Sequence, residues 1–99
     1  DNVLHTYTYI GGENGKYTVY PNPVQSGDQL NVSLELEKNS NLEIVLYNLL
    51  GSRVKTLANR TYAPGEYVES YDLSGVKPGL YFVTISNGKD NFTKKITVK

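Results

Sequence analysis

Residues 30–46, LNVSLELEKNSNLEIVL, decide the fold. Leu30, Val32, Leu34 and Leu36 share one parity while Asn31, Ser33, Glu35 and Glu37 take the other, the period-two pattern of a strand with one face in a core and one in water. Asn39-Ser40-Asn41 is a turn signal, after which Leu42, Ile44 and Leu46 resume the alternation. Val45 and Tyr47 make the second face partly apolar too, so this second strand belongs in the middle of a sheet. Outward from this pair the same period continues. Asn48-Leu49-Leu50-Gly51 is a hairpin turn with a Gly suited to positive φ, leading into a short strand over 54–58. Ala63-Pro64-Gly65 launches a strand over 66–73, where Tyr67, Glu69 and Tyr71 oppose Val68, Ser70 and Asp72, and alternation alone leaves the inner face open. Residues 74–79 turn the chain into the β-prone run 80–85. Asn87-Gly88 is a hairpin signal before a last strand over 92–98. With an opening strand at 17–20 this makes about seven short strands and no helical period, so the expected fold is all-β, an Ig-like antiparallel β-sandwich.

A chain of 99 residues has room for one core. The sandwich is expected over residues 17–99, and residues 1–16 as a linker or the end of a preceding domain. Gly11, Gly12, Glu13, Asn14, Gly15 and Lys16 are too rich in Gly and polar groups for a packed strand. Residues 6–10 ahead of them are β-prone and fit either the last strand of a preceding domain or an added edge strand. Because the sequence contains no Met, Asp1 reads as an internal residue of something longer or a processed end.

Ten Lys and Arg balance ten Asp and Glu, so no long-range field draws in nucleic acid or an anionic membrane. Nothing approaches the run of about 20 apolar residues that spans a bilayer, and no direct membrane insertion is expected. The absence of Cys removes disulfides, thiolate metal sites and thiol nucleophiles together. The single His, His5, has no acidic neighbour in sequence to make it a catalytic base. Glu35, Glu37, Glu43 and Glu69 fall at polar positions of alternating strands, which predicts a solvated sheet face rather than a catalytic pair. Asp28, Asp72 and Asp90 sit in separate turns without ligand spacing. The chain therefore reads as non-catalytic, with no cofactor and no metal. Nine Tyr are expected mainly in the core and at the sandwich rim, with a sugar-stacking face as the alternative.

Four short segments remain. Pro21-Asn22-Pro23 ends the opening strand, because each residue before a Pro is pushed to an extended conformation and neither Pro can donate a ladder hydrogen bond. Residues 46–51 carry the hairpin turn, with Asn48 and Gly51 as its key positions. Leu73-Ser74 through Gly79-Leu80-Tyr81 makes a tight entry into a buried strand. The sequence then ends in Lys94-Lys95-Ile96-Thr97-Val98-Lys99.

In that order and spacing the segments resemble the type A C-terminal sorting domain of cargo exported by the type IX secretion system of Bacteroidota, over residues 18–99. The family's Pro-Asn-Pro opening is matched by Pro21, Asn22 and Pro23, and its Tyr-Asp-x-x-Gly turn by Tyr47 to Gly51, with Asn48 in place of Asp. Its Leu-Ser-x-x-x-x-Gly-x-Tyr segment is matched by Leu73, Ser74, Gly79 and Tyr81, and its basic Lys-x-x-x-Lys end by Lys95 and Lys99. Asn keeps the turn chemistry of Asp, since both bond the backbone locally.

The resemblance implies a folded export signal. The cargo would reach the periplasm by a separate signal peptide, this domain would be recognised by the outer-membrane translocon and its shuttle protein, and a sortase-like cysteine peptidase would then remove it as the cargo is anchored at the surface. Cleavage would fall in the linker, residues 11–16. On the last strand, Phe92, Ile96 and Val98 should pin the backbone while Lys95 and Lys99 project outward as point charges for a receptor. Lys94, in phase with Phe92 and Ile96, should either snorkel or sit beside a bulge. Two other readings remain open from the residues alone: a carbohydrate-binding or adhesive Ig-like module of a surface protein, and a structural spacer of fibronectin III type. A strand at residues 3–10 would also offer an edge for a homodimer.

Overall fold

The computed structural model describes residues 7–9 and 16–99. Eight strands run in the order β1 (Tyr7–Tyr9), β2 (Lys16–Tyr20), β3 (Gln29–Leu36), β4 (Ser40–Asn48), β5 (Arg53–Tyr62), β6 (Gly65–Asp72), β7 (Gly79–Ser86) and β8 (Asn91–Val98). They form two four-stranded antiparallel sheets, the first ordered β1-β2-β3-β6 and the second β5-β4-β7-β8. The fold is thus the all-β sandwich that the alternation predicts.

β3 lies inside the first sheet and β4 inside the second. β3 buries Leu30, Val32, Leu34 and Leu36, and β4 buries Leu42, Ile44 and Leu46 against them. β2 adds Tyr17 and Val19, β7 adds Tyr81, Val83 and Ile85, and β8 adds Phe92, Ile96 and Val98. Side chains of this kind each contribute roughly 1.5–3 kcal/mol when withdrawn from water, which is what fixes the register of a sheet with one buried face. β4 is central, between β5 and β7, as its two-sided apolar character predicts.

Three elements depart from the sequence reading. β5 runs ten residues rather than five, because it is an edge strand whose side chains are mostly exposed and so carry no clear alternation. Its pairing with β4 is interrupted by two register shifts, at Ile44/Val45 and Leu46/Tyr47, irregularities of the kind that protect exposed edges. β6 turns Tyr67, Glu69 and Tyr71 inward and leaves Val68 exposed. Glu69 is therefore not on a solvated face: its carboxylate accepts hydrogen bonds from the Tyr62 hydroxyl at 2.7 Å and the Tyr71 hydroxyl at 2.5 Å, and Arg60 approaches it at 3.4 Å. Arg60 also stacks 4.5 Å above the Tyr62 ring. This cluster closes the side of the sandwich where the edge strands β5 and β6 meet. Burial first, then the hydrogen bond to Glu69, pushes the Tyr62 hydroxyl up to about 12 and Tyr71 in the same direction.

The third departure is at Lys16: Tyr7–Tyr9 forms the added edge strand that the sequence left as one alternative, pairing antiparallel with β2 and opposing Tyr9 to Lys16. Lys16 is the first residue of β2 rather than the last of a linker, and its backbone is paired with Glu35. Gly11, Gly12, Glu13, Asn14 and Gly15 lie outside the described residues, as do His5 and most of the segment proposed as a dimerisation edge.

Candidate recognition pole

The sandwich has two poles, and the four sequence segments meet at one of them. The end of β2, the start of β3, the end of β6, the β4–β5 turn, the start of β7 and the end of β8 all lie there, because each antiparallel neighbour reverses direction.

The closest association is between the two segments farthest apart in sequence. β2 ends at Tyr20, and both peptide bonds preceding Pro21 and Pro23 are cis. Beyond β2 the chain crosses from the first sheet to the free edge of β8. There the Asn22 side chain acts as a substitute strand residue: its Nδ2 donates to Lys95 O at 3.1 Å and its Oδ1 accepts from Thr97 N–H at 3.1 Å. A Pro flanks it on either side, so the side-chain amide supplies the donor that Pro23 lacks. Backbone pairing takes over at once. Val24 N–H donates to Thr97 O at 2.9 Å, Lys99 N–H to Val24 O at 2.8 Å, and Ser26 N–H to Lys99 O at 2.6 Å, with Val24 and Val98 forming a parallel bridge. Residues 22–26 thus cover the otherwise open edge of β8 over 95–99, and buried Val24 seals the core beneath it. Neither Val24 nor Ser26 stands out in sequence; only the short, turn-rich spacer after Pro23 marks that stretch.

Leu73-Ser74 and Gly79-Tyr81 join the same assembly. Leu73 is fully buried and its N–H donates to Asp28 O at 3.3 Å, while Ser26 Oγ donates to Val76 O at 3.3 Å. Ser74 donates through both N–H and Oγ to the Asp72 carboxylate, at 2.9 and 2.6 Å, and these bonds hold that carboxyl below its ordinary range. Gly79 has φ of 153°, a conformation that side-chain-bearing residues rarely adopt, and Tyr81 folds back so that its hydroxyl donates to Lys77 O at 2.6 Å. This is a tyrosine corner of the sort that anchors strand entry in Ig-like sandwiches. The device occurs twice. At the opposite pole, Ala63-Pro64-Gly65-Glu66-Tyr67 repeats the Lys77-Pro78-Gly79-Leu80-Tyr81 pattern, and the Tyr67 hydroxyl donates to Ala63 O at 2.6 Å. The repeated Pro-Gly-x-Tyr spelling is the signal from which both corners could have been read.

The β4–β5 turn completes the pole. Asn48 Oδ1 accepts from Leu50 N–H and Ser52 N–H, both at 3.0 Å, while Gly51 N–H donates to Asn48 O and Asn48 N–H to Ser52 O. Asn48 therefore performs the turn role expected of it. Because Asn48 lies opposite Tyr81 and Tyr81 opposite Ile96, the turn sits two strands from β8.

Within β8 the register to β7 is unbroken, so no bulge accompanies Lys94; it lies opposite buried Val83 and is half-buried. Of the two expectations for Lys94, the bulge is thus not found. Lys95 and Lys99 are exposed, with Lys95 opposite half-buried Phe82 on the outer face of the second sheet. The structure brings Lys95 and Lys99 to the pole with the other motif residues and turns Lys94 the other way. Among the described tyrosines, Tyr17, Tyr62 and Tyr81 are buried, Tyr67 and Tyr71 pack against the core, and four of these five hydroxyls are bonded internally. Among the described residues no group of His, Cys, Asp and Glu is arranged to hold a metal ion.

The four distinguishing segments of this antiparallel sandwich thus converge on one end. In comparison with known families, the secretion system C-terminal sorting domain matches residues 18–99, and the chain belongs to that family, the sorting signal of type IX secretion. Domains of this family generally lack catalytic activity and mark a cargo that is secreted or displayed at the cell surface. A search of the curated proteins found no match.

Proposed function

We propose that this domain is read, folded, by the outer-membrane translocon and shuttle of the type IX system, through the pole where residues 21–23 clasp the end of β8. The cargo enters the periplasm by its own signal, docks through this pole, and is released at the surface. A sortase-like cysteine peptidase then cuts within residues 11–16 and anchors the cargo.

The observation that carries this reading is the Asn22 clasp. The family's first and last motifs are one hydrogen-bonded unit, so a receptor touching Lys95 and Lys99 meets a backbone fixed by Asn22, and the two segments have a reason to occur together. The register of β1 and β2 supports a division of labour: Tyr9, ahead of the cleavage segment, and Lys16, its last residue, are backbone partners at the far pole. Recognition and cutting then take place at opposite ends of the sandwich.

The test fuses the full 99-residue chain behind an inert reporter carrying a signal peptide, in a bacterium with type IX machinery, followed by mass spectrometry of the reporter. Reporter at the surface, with its peptide chain ending between residues 11 and 16, is the expected result. Uncut reporter retained in the periplasm contradicts it.

A further inference from the structure

The pole carries an apolar feature that the motif residues do not account for. Five large hydrophobic side chains are exposed among the described residues, and four of them lie together: Leu49 at 60 % and Leu50 at 89 % in the β4–β5 turn, Val54 at 41 % in β5, and Leu80 at 40 % in β7. Register gathers them. Tyr47 pairs with Arg53, which brings Val54 beside the turn, and Leu80 precedes Tyr81, the partner of Asn48. Leu80 also lies opposite Thr97 on β8, so the group adjoins the basic last strand. Scattered exposed leucines call for no explanation, but a cluster on one end of a small domain marks an interaction surface.

The backbone displays these leucines rigidly. Four hydrogen bonds close the turn around Asn48, and Gly51 at φ 84° completes it, so Leu49 and Leu50 are held outward in a fixed geometry that loses little freedom on binding. The surrounding charge is cationic on the side of β7 and β8, whereas the exposed carboxylates Asp28 and Asp72 stand at the same pole beside the start of β3 and at the end of β6. Glu43 is paired with Arg53 at 3.2 Å, whereas Lys77, Lys95 and Lys99 form no ion pair among the described residues. The patch is thus apolar at its centre and cationic along the β7 and β8 side of its rim.

Resting on the functional reading above, we infer that Leu49, Leu50, Val54 and Leu80 seat in a pocket of the receptor protein that is apolar at its floor and carries carboxylates where its rim faces β7 and β8. A second copy of this chain fits poorly, since symmetric pairing would set the same lysines against each other. An anionic membrane fits less well than a protein, because the chain has no net charge to hold it at a lipid surface and the leucines sit on a tight, shaped turn.

The experiment uses the same reporter fusion with Leu49→Ser/Leu50→Ser, with Lys77→Glu/Lys99→Glu, and with Val68→Ser, the exposed hydrophobe of the other sheet, as control. Each purified chain is melted thermally and run by sedimentation, alone and with vesicles containing phosphatidylglycerol. The leucine pair should lower surface reporter by about tenfold or more, as for anchors desolvated at the centre of an interface. Folded reporter should accumulate in the periplasm, with the melting temperature unchanged; the lysine pair should act likewise and Val68→Ser should not. Leu80→Thr gives a second, independent reading of the patch. Full export of the leucine pair overturns the inference while leaving the sorting role intact, and full export of the lysine pair overturns the acidic rim. A leucine-dependent dimer or leucine-dependent vesicle binding by the wild-type chain would reassign the patch to those partners. No export of the wild-type fusion removes the functional reading itself, and this inference with it.

Discussion

At the scale of single residues, Asn22 is the position on which most depends, since one side chain ties residue 22 to residues 95 and 97 across almost the whole sequence. Replacing it by Ala leaves the Lys95 carbonyl and the Thr97 amide to compete for water in a partly buried setting. Asn22→Ala should lower the unfolding free energy by about 1–2 kcal/mol, the usual worth of two such bonds. It should also speed hydrogen exchange at the Thr97 amide far more than at core amides such as Ile85. An unchanged Thr97 amide in that variant would remove the clasp from the account. In sequence, Asn22 was legible as part of a strand-ending bracket but its bonding partner was not, because nothing in local pattern specifies a contact 75 positions away. Asn48 was legible in full, since an Asx turn is closed by its own neighbours. Tyr67 and Tyr81 were legible as core or rim residues, and Tyr81 as a motif position, but the carbonyls that their hydroxyls bond, just four residues back, were not.

At the scale of elements, β3, β7 and β8 follow their alternation because each has one buried face, while central β4 buries Val45 on its second face as well. β6 settles the face that alternation left open and overturns the solvated position expected of Glu69. Its apolar Val68 faces water while Glu69 faces inward, because the tyrosines on either side demand the interior and Glu69, sharing their parity, goes with them. The arrangement is tolerable only because Tyr62, Tyr71 and Arg60 satisfy the carboxylate. It also predicts an alkaline weakness. The unfolded chain gives up its tyrosine protons near pH 10, while folded Tyr62 holds its proton until about 12 and Tyr71 is raised likewise, so the native state binds more protons across that window. This stabilisation is fully present below pH 10 and is lost as pH rises through the folded value. Urea midpoints should therefore fall between pH 10 and pH 12, and fall less steeply in Tyr62→Phe/Tyr71→Phe. Equal slopes in the two chains would show that the cluster does not carry the effect.

At the scale of the whole molecule, the proposed function divides two tasks along the length of the sandwich. The pole that holds residues 21–26, the Asn48 turn, Leu73-Ser74, Gly79-Tyr81 and the end of β8 is the one we propose the machinery reads. The opposite pole receives the chain at Lys16 from residues 11–15. The segments were visible in sequence as separate motifs; that they share one end follows from strand direction and sheet order, which alternation does not encode. The central claim is that this pole, rather than the fold in general, is what the secretion machinery reads. It is tested most directly by removing exposed side chains in pairs that leave the backbone ladder untouched. Lys95→Ala/Lys99→Ala strips the address pole, and Lys38→Ala/Lys89→Ala strips the connections β3–β4 and β7–β8 at the far pole, each with stability expected within about 0.5 kcal/mol of the parent chain. Surface reporter measured for both pairs should be lost in the first and retained in the second, and equal export of the two would contradict the account.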